Sequence, residues 1–379
     1  MTKLYNKFLP YFQLTALVII STLILWLPFI SKSPSWFGLK IAPPQGMNYI
    51  YRHYDGPLYT VPARTFYNPK LIEKMRLETA LPNEYFAAHL PIYPALIAVF
   101  APFMGYLKSM VFVNIAATII LACFFYFFLV RFKLTDKPLL LTSVLLFLPR
   151  FLVVRGIGAP ESLFIFLVLA SLYFFEKKNY LLAGLLGGLA TATKTPGILL
   201  AAAYGLVFIE SWIKTKKINW NFLWIGLIPL GLIGVFVLYG IQYGDFFTYF
   251  KSGDNIHLTY PFSAFNGQRV WIGDHWLEAI VFYFVLYGLT AVYLFKNKLR
   301  SLFYFSLVFL IAVLFVEHKD IGRYSLPLWP LALIAFEKFF TSREFKIVFF
   351  LILIPAAFFF AWNFMLGNLM PISDWKAFL

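Results

Sequence analysis

Cysteine is nearly missing from this chain. Cys123 is the single one, so no intrachain disulfide can form. Charge is scarce as well: 13% of the residues are Asp, Glu, Lys or Arg, against ~25% in ordinary soluble domains. Acidic residues are the scarcest, 17 against 32 basic ones, and the formal net charge is +15. HExxH, CxxC and DxD patterns are absent, so spacing nominates no metal ligands. No Walker A or GxGxxG motif occurs, so cytoplasmic nucleotide binding has no support.

The excess of bases does not make a nucleic-acid face. The bases fall in short clusters between apolar runs: Lys3/Lys7, Arg131/Lys133/Lys137, Lys177/Lys178, Lys214/Lys216/Lys217, Lys296/Lys298/Arg300 and Lys338/Arg343/Lys346. That is the pattern of the positive-inside bias of membrane proteins, and a nucleic-acid partner is rejected on that ground.

Apolar bulk is what the chain has in quantity. It is 61% hydrophobic with 46 Phe, and its mean hydropathy is +0.76. Runs of roughly 17–25 apolar residues recur, each long enough to cross ~30 Å of hydrocarbon. We read an all-α polytopic protein, one integral-membrane domain over residues 1–379. The expected spans are 10–30, 109–130, 139–155, 160–176, 180–195, 197–213, 221–241, 276–295, 301–316, 324–340 and 347–365. Placing every basic cluster in the cytoplasm gives consistent parity from residue 139 onward. Met1 to Lys7 then lie in the cytoplasm ahead of a retained first helix, since no small-residue cleavage site follows it. The loops 31–90, Arg150 to Glu161, Lys194 to Gly197, 242–275 and Glu317 to Arg323 face outside. Residues 91–107 are apolar but carry Pro91, Pro94 and Pro102 and end at Gly105. Such proline density makes a poor straight helix, so a re-entrant or interfacial segment is expected there. The count is about eleven crossings, or twelve if 91–107 crosses.

Two outer loops are long. In 31–90, residues 69–85 place apolar positions 71, 72 and 75 among charged positions 70, 73, 74 and 76, which predicts an amphipathic surface helix. The loop 242–275 carries Asp245, Lys251, Asp254, His257, Arg269, Asp274 and His275 among aromatics.

Charged groups at membrane depth are costly and are functional candidates by default. Arg150, Arg155, Glu161, Lys194, Glu317, His318, Lys319, Asp320 and Arg323 gather at the outward ends of spans. With Asp55 and His89 they would line one outer chamber, suited to holding an anionic phosphate while ionising a hydroxyl. Each has a plainer reading. Arg150 and Arg155 snorkel; Glu161 follows Pro160 as a helix first turn offsetting the dipole. Lys194 is an ordinary loop lysine beside Pro196 and Gly197, and His89 is interfacial. Arg323 is an anchor with Tyr324, and Asp55 is a turn former before Gly56.

Five motifs stand in order: Tyr54-Asp55-Gly56-x-x-Tyr59; Leu90-Pro91-Ile92-Tyr93-Pro94; Glu161-Ser162-Leu163-Phe164; the block from Ala183 to Leu199 through Lys194; and Arg323-Tyr324 with Pro327 and Pro330. This series resembles the GT-C superfamily of polytopic glycosyltransferases, nearest the PIG-V type, the GPI-anchor mannosyltransferase II family and its prokaryotic relatives. Tyr54 stands where that family has Trp. Lys194 stands where it has Arg, which keeps the charge but loses the bidentate fork. The resemblance implies an inverting transfer of a sugar, in most members mannose, from a polyprenyl-phosphate donor to a hydroxyl of a lipid or glycan on the extracytoplasmic face of the cell membrane. Asp55 would be the general base and Glu161 would orient acceptor or base. Lys194 and Arg323 would neutralise the leaving phosphate. Tyr324, Arg155, His89, Tyr59 and His318 would complete substrate binding. No cofactor is required, and a divalent cation is compatible. The rival readings are a lipid or sugar transporter or flippase, against which stand the lack of an inverted repeat and the gathering of charge at one face, and a non-catalytic assembly subunit.

Overall fold

Apolar length decides which segments can cross a bilayer. The computed structural model describes residues 2–42, 45–77, 81–253, 258–266, 277–367, 369–370 and 378. Among them six helices are long and apolar enough to cross: Phe8–Ile30, Tyr106–Arg131, Thr195–Thr215, Trp220–Tyr243, Leu277–Lys296 and Arg343–Leu366. The chain is a multi-pass, all-α membrane protein. The sheet among the described residues is a two-residue pairing of Ser35–Trp36 with Leu39–Lys40.

The remaining expected spans are shorter. Residues 139–155 break into helices Pro138–Leu146 and Pro149–Val154, because Pro149 lacks the N–H that would continue the ladder. The others form Glu161–Glu176, Tyr180–Thr193, Arg300–Leu314 and Leu326–Ala335. The longest of these rises ~24 Å, less than the ~30 Å hydrocarbon layer. Length and composition therefore support six crossings and leave the expected number of about eleven without that support.

Residues 91–107 form the 13-residue helix Ile92–Met104, stopped at Gly105 with φ +80°. Helix Tyr106–Arg131 starts at once. The two pack together: the Phe100 and Phe112 rings lie 5.0 Å apart, and the Tyr93 hydroxyl donates to the Met110 carbonyl at 2.6 Å. The amphipathic helix expected over 69–85 is cut to Pro69–Lys74. Asn68 caps its start by accepting from the Leu71 N–H, and Arg76 at φ +49° ends the helical path.

The fold divides into two compact units. The first comprises 1–166, 236–253 and 339–379. Its helices are tied by polar groups in apolar surroundings. The Trp26 indole donates to the Gly156 carbonyl at 2.8 Å, and the Trp362 indole to the Leu25 carbonyl at 3.1 Å. Thr118 and Ser162 share a hydrogen bond of 2.7 Å.

The second unit comprises 167–235 and 254–338. Hydrocarbon gives helices no hydrophobic drive to associate, so small residues that allow close approach matter more. Here Gly184 and Gly188, one turn apart, meet the backbone of residues 220–231. A Cβ on Gly184 would fall 2.0 Å from the Trp224 carbonyl oxygen, and one on Gly188 2.8 Å from that of Leu227. The Phe175 and Tyr204 rings stack at 3.9 Å, and the Tyr204 hydroxyl shares a 2.8 Å hydrogen bond with Ser171.

Candidate active site

In the first unit, Asp55 is the N-cap of a one-turn 3-10 helix, Gly56–Tyr59. Its carbonyl accepts from the Leu58 N–H at 2.9 Å, and the Gly56 N–H donates to the His53 carbonyl at 3.2 Å. Gly56, Pro57, Leu58 and Tyr59 are buried while Asp55 is half-buried. The carboxylate thus sits at the rim of a turn whose backbone is fixed from within.

Two glycines press that turn against the segment leading to Glu161. A Cβ on Gly56 would lie 3.1 Å from the Gly158 carbonyl oxygen, and one on Gly158 would lie 2.3 Å from the Met110 sulfur. Asn114 holds the same segment, its amide nitrogen donating to the carbonyls of Val154 and Ile157 at 2.7 Å each. Glu161 is 3% exposed and opens helix Glu161–Glu176. A carboxylate in a helix first turn is favoured by the dipole, which lessens the cost of its burial.

Aromatics close the cluster. The Tyr59 ring lies edge-on to His89 at 4.5 Å and to Tyr93 at 5.1 Å. The Tyr93 hydroxyl is within electrostatic reach of Glu161. Tyr67 donates to the His89 carbonyl, and burial, with Tyr239 and Tyr243 nearby, holds its phenol well above the ordinary range, so it stays a donor. Tyr59, His89 and Tyr93 thus form one aromatic cluster with Glu161 near Tyr93, while Asp55 joins it through the backbone of its turn, which packs against the segment before Glu161.

Two arginines separate. Arg155 is 1% exposed and turns inward: Nε donates to the Leu146 carbonyl at 3.0 Å, Nη1 to Thr22 at 3.1 Å and Nη2 to Ser21 at 2.8 Å. Those contacts clasp the first helix and give its guanidinium a structural task. Arg150 lies at the Asp55 turn instead. Its Nη1 donates to the Tyr54 hydroxyl at 2.8 Å, and it stacks over Phe364 at 4.2 Å. The sequence offered Arg150 only as a charge at a span end, because Phe364 is distant in the chain. Asn114 also escaped the sequence reading; a lone Asn inside an apolar span was its signal.

The second unit gathers Lys194, His318, Arg323 and Tyr324. Lys194 has an extended backbone, φ −148° and ψ 134°, between helix Tyr180–Thr193 and the 3-10 turn Thr195–Ile198. Gly197 makes that turn tight, since a Cβ there would meet the Thr191 nitrogen at 2.4 Å. The Lys194 ammonium lies 5.9 Å from the centre of the Tyr324 ring, and the His318 ring meets Tyr324 edge-on at 4.9 Å. The Asp320 N–H donates to His318 Nδ1 at 2.9 Å, so a neutral His318 carries its proton on Nε2. Arg323 is 8% exposed, and its N–H bonds the Asp320 carbonyl at 3.0 Å. Glu317 accepts from Asn266 at 2.9 Å.

In the loop 242–275, Asp245 and Lys251 form an exposed ion pair at 2.5 Å. Asp254, His257, Arg269, Asp274 and His275 lie outside the described residues. Among the described residues, no three of His, Cys, Asp and Glu group in a way that would hold a metal ion.

No family model matches the chain, and no solved structure matches it. Among curated proteins it is similar to GPI mannosyltransferase 1 of Kluyveromyces lactis, 31% identical over 113 residues. That stretch takes in 30% of this chain and 26% of the yeast protein, so the match spans about a quarter of that relative's length. The relative is a differently numbered GPI mannosyltransferase from the type that the five motifs resemble.

Proposed function

We propose that the chain is a mannosyltransferase that takes mannose from a polyprenyl-phosphate donor and delivers it to a hydroxyl of a lipid or glycan acceptor on the extracytoplasmic face. The carrying observation is the placement of Asp55. Asp55 is half-buried on a turn of buried residues, packed against the segment that ends in Glu161. The similarity to a yeast mannosyltransferase supports mannose as the sugar.

The chemistry needs two things. The acceptor alcohol needs a base within ~2.6–3.2 Å of its oxygen, and a carboxylate in that role contributes ~10²–10⁴-fold. Asp55 is assigned that task, with Glu161 orienting the acceptor. The departing polyprenyl phosphate needs cations to receive its charge. Lys194 and Arg323 are assigned there, with Tyr324 beside the lysine and His318 against Tyr324. A single displacement by the alcohol forms the new C–O bond as the phosphate oxygen leaves, and it inverts the anomeric carbon. Tyr59 and His89 shape the base's surroundings. Arg155 has no part, since its guanidinium is committed to Ser21, Thr22 and Leu146.

The test incubates the purified full-length protein with radiolabelled polyprenyl-phosphate sugars and a panel of membrane-lipid acceptors. Transfer of mannose from the polyprenyl phosphate, with inverted configuration, is expected. Transfer from a nucleotide sugar with no lipid donor present overturns the donor assignment.

A further inference from the structure

A second, independent feature lies in the second unit. Helix Leu199–Thr215 and the 3-10 helix Trp220–Gly226 line a cavity of about 360 Å³, within the ~300–1,000 Å³ of small-molecule sites. Tyr204, Gly205, Phe208, Trp220, Phe222 and Leu223 are among the lining residues. Its wall is packed by aromatics: the Phe222 ring lies 5.3 Å from Phe208 and 4.5 Å from Tyr180. Such a space accepts a hydrocarbon chain and offers almost nothing to a polar ligand.

Charge stands beside it. The connection between the two lining elements carries Lys214, Lys216 and Lys217, all exposed. Lys214 is paired with Glu210 at 2.5 Å. Lys216 caps the helix at φ +54°, with Lys217 next to it. Trp212, Trp220 and Trp224 are exposed around the same end, the placement of aromatics at a membrane interface. An apolar cavity next to exposed cations, with exposed Trp residues around it, fits a ligand with one hydrocarbon tail to bury and one anionic head to neutralise.

We propose that this cavity binds an anionic phospholipid of the bilayer, one acyl chain inside and its phosphate group on Lys216 and Lys217. The site does not depend on the transfer chemistry and is tested without it.

The structure supplies a clean probe. A Cβ on Gly205 would meet open space, so Gly205→Leu fills the cavity without moving its walls, and Leu is a better helix former than Gly. Full-length protein in detergent is titrated with phosphatidylglycerol or phosphatidylcholine, and bound lipid is counted by native mass spectrometry. At about 1 kcal/mol for each of the two lysines near an anionic surface, a preference for phosphatidylglycerol of roughly thirtyfold is expected. Lys216→Ala/Lys217→Ala should erase the preference and keep chain binding. Gly205→Leu should lower retention of both lipids at an unchanged unfolding temperature. Equal retention of the two lipids by the parent protein overturns the proposal, as does undiminished phosphatidylglycerol on Gly205→Leu. Displacement of phosphatidylglycerol by equimolar polyprenyl phosphate rejects the phospholipid in favour of an isoprenoid. If Gly205→Leu expresses poorly, the lysine variant still decides.

Discussion

At the scale of single residues, the base assignment makes the sharpest demand. Asn in place of Asp55 keeps the size of the side chain and is itself a good turn residue, but it cannot take a proton. Asp55→Asn should therefore fold and bind donor while turnover falls by ~10²–10⁴-fold, with the loss on kcat more than on KM. Glu161→Gln should cost less, since an orienting group is not consumed by the proton transfer. A turnover of Asp55→Asn within about threefold of the parent, far below a general base's share, would reduce Asp55 to a turn former. The cations are tested separately. Lys194→Ala and Arg323→Ala should each weaken donor use in protein that elutes normally, and Lys194→Arg should be tolerated or improve turnover, because guanidinium adds a bidentate fork. Unchanged donor affinity and rate in both alanine variants would place the phosphate elsewhere.

Charge is costly in an apolar chain and so draws notice, which made Asp55, His89, Glu161, Lys194 and Arg323 candidates in the sequence, and the motif around Asp55 added Tyr59. The fate of Arg155 was not visible. Its partners Ser21 and Thr22 lie more than a hundred residues away and look like ordinary span hydroxyls. Nothing local separates an arginine that clasps a helix from one that faces a phosphate.

At the scale of elements, the glycine-rich block 183–199 shows what a motif can conceal. Read as sequence it resembles a family signature around Lys194. In the structure its glycines are contacts: Gly184, Gly187 and Gly188 lie where a Cβ would collide with Trp224, Ile228 and Leu227. The helix that ends at Lys194 is thus seated by close backbone approach. Gly188→Leu should force the elements apart and cost at least ~1–3 kcal/mol, the usual range for overpacking, seen as a lower unfolding temperature and a shifted elution profile. Gly205→Leu on the neighbouring helix is the control, since open space surrounds it. Equal stability of the two variants would mean that the close approach at Gly188 carries no weight. Helix length was the least legible element property. Apolar runs such as 139–155 promised a full span, but Pro149 divides it, and a hydropathy window does not see a missing N–H.

At the scale of the whole molecule, the question is how many times the chain crosses the bilayer, and one stretch decides the parity. Between Ser35 and Asp136 lie two apolar helices, Ile92–Met104 and Tyr106–Arg131. The second rises ~39 Å and can cross a ~30 Å hydrocarbon layer; the first rises ~20 Å and falls short. If only the second crosses, Ser35 and Asp136 lie on opposite sides. If both cross, they lie on the same side, and the cluster Arg131/Lys133/Lys137 moves to the outer face, against the positive-inside bias. Both positions are exposed and suit thiol labelling once Cys123 is replaced by Ala. Ser35→Cys should react with a membrane-impermeant reagent added to intact cells, and Asp136→Cys only after permeabilisation. Labelling of both from outside would show that Ile92–Met104 also spans, through tilt or a locally thinned bilayer. It would also place the chain on the far side of the membrane from Asp136 through to the next crossing.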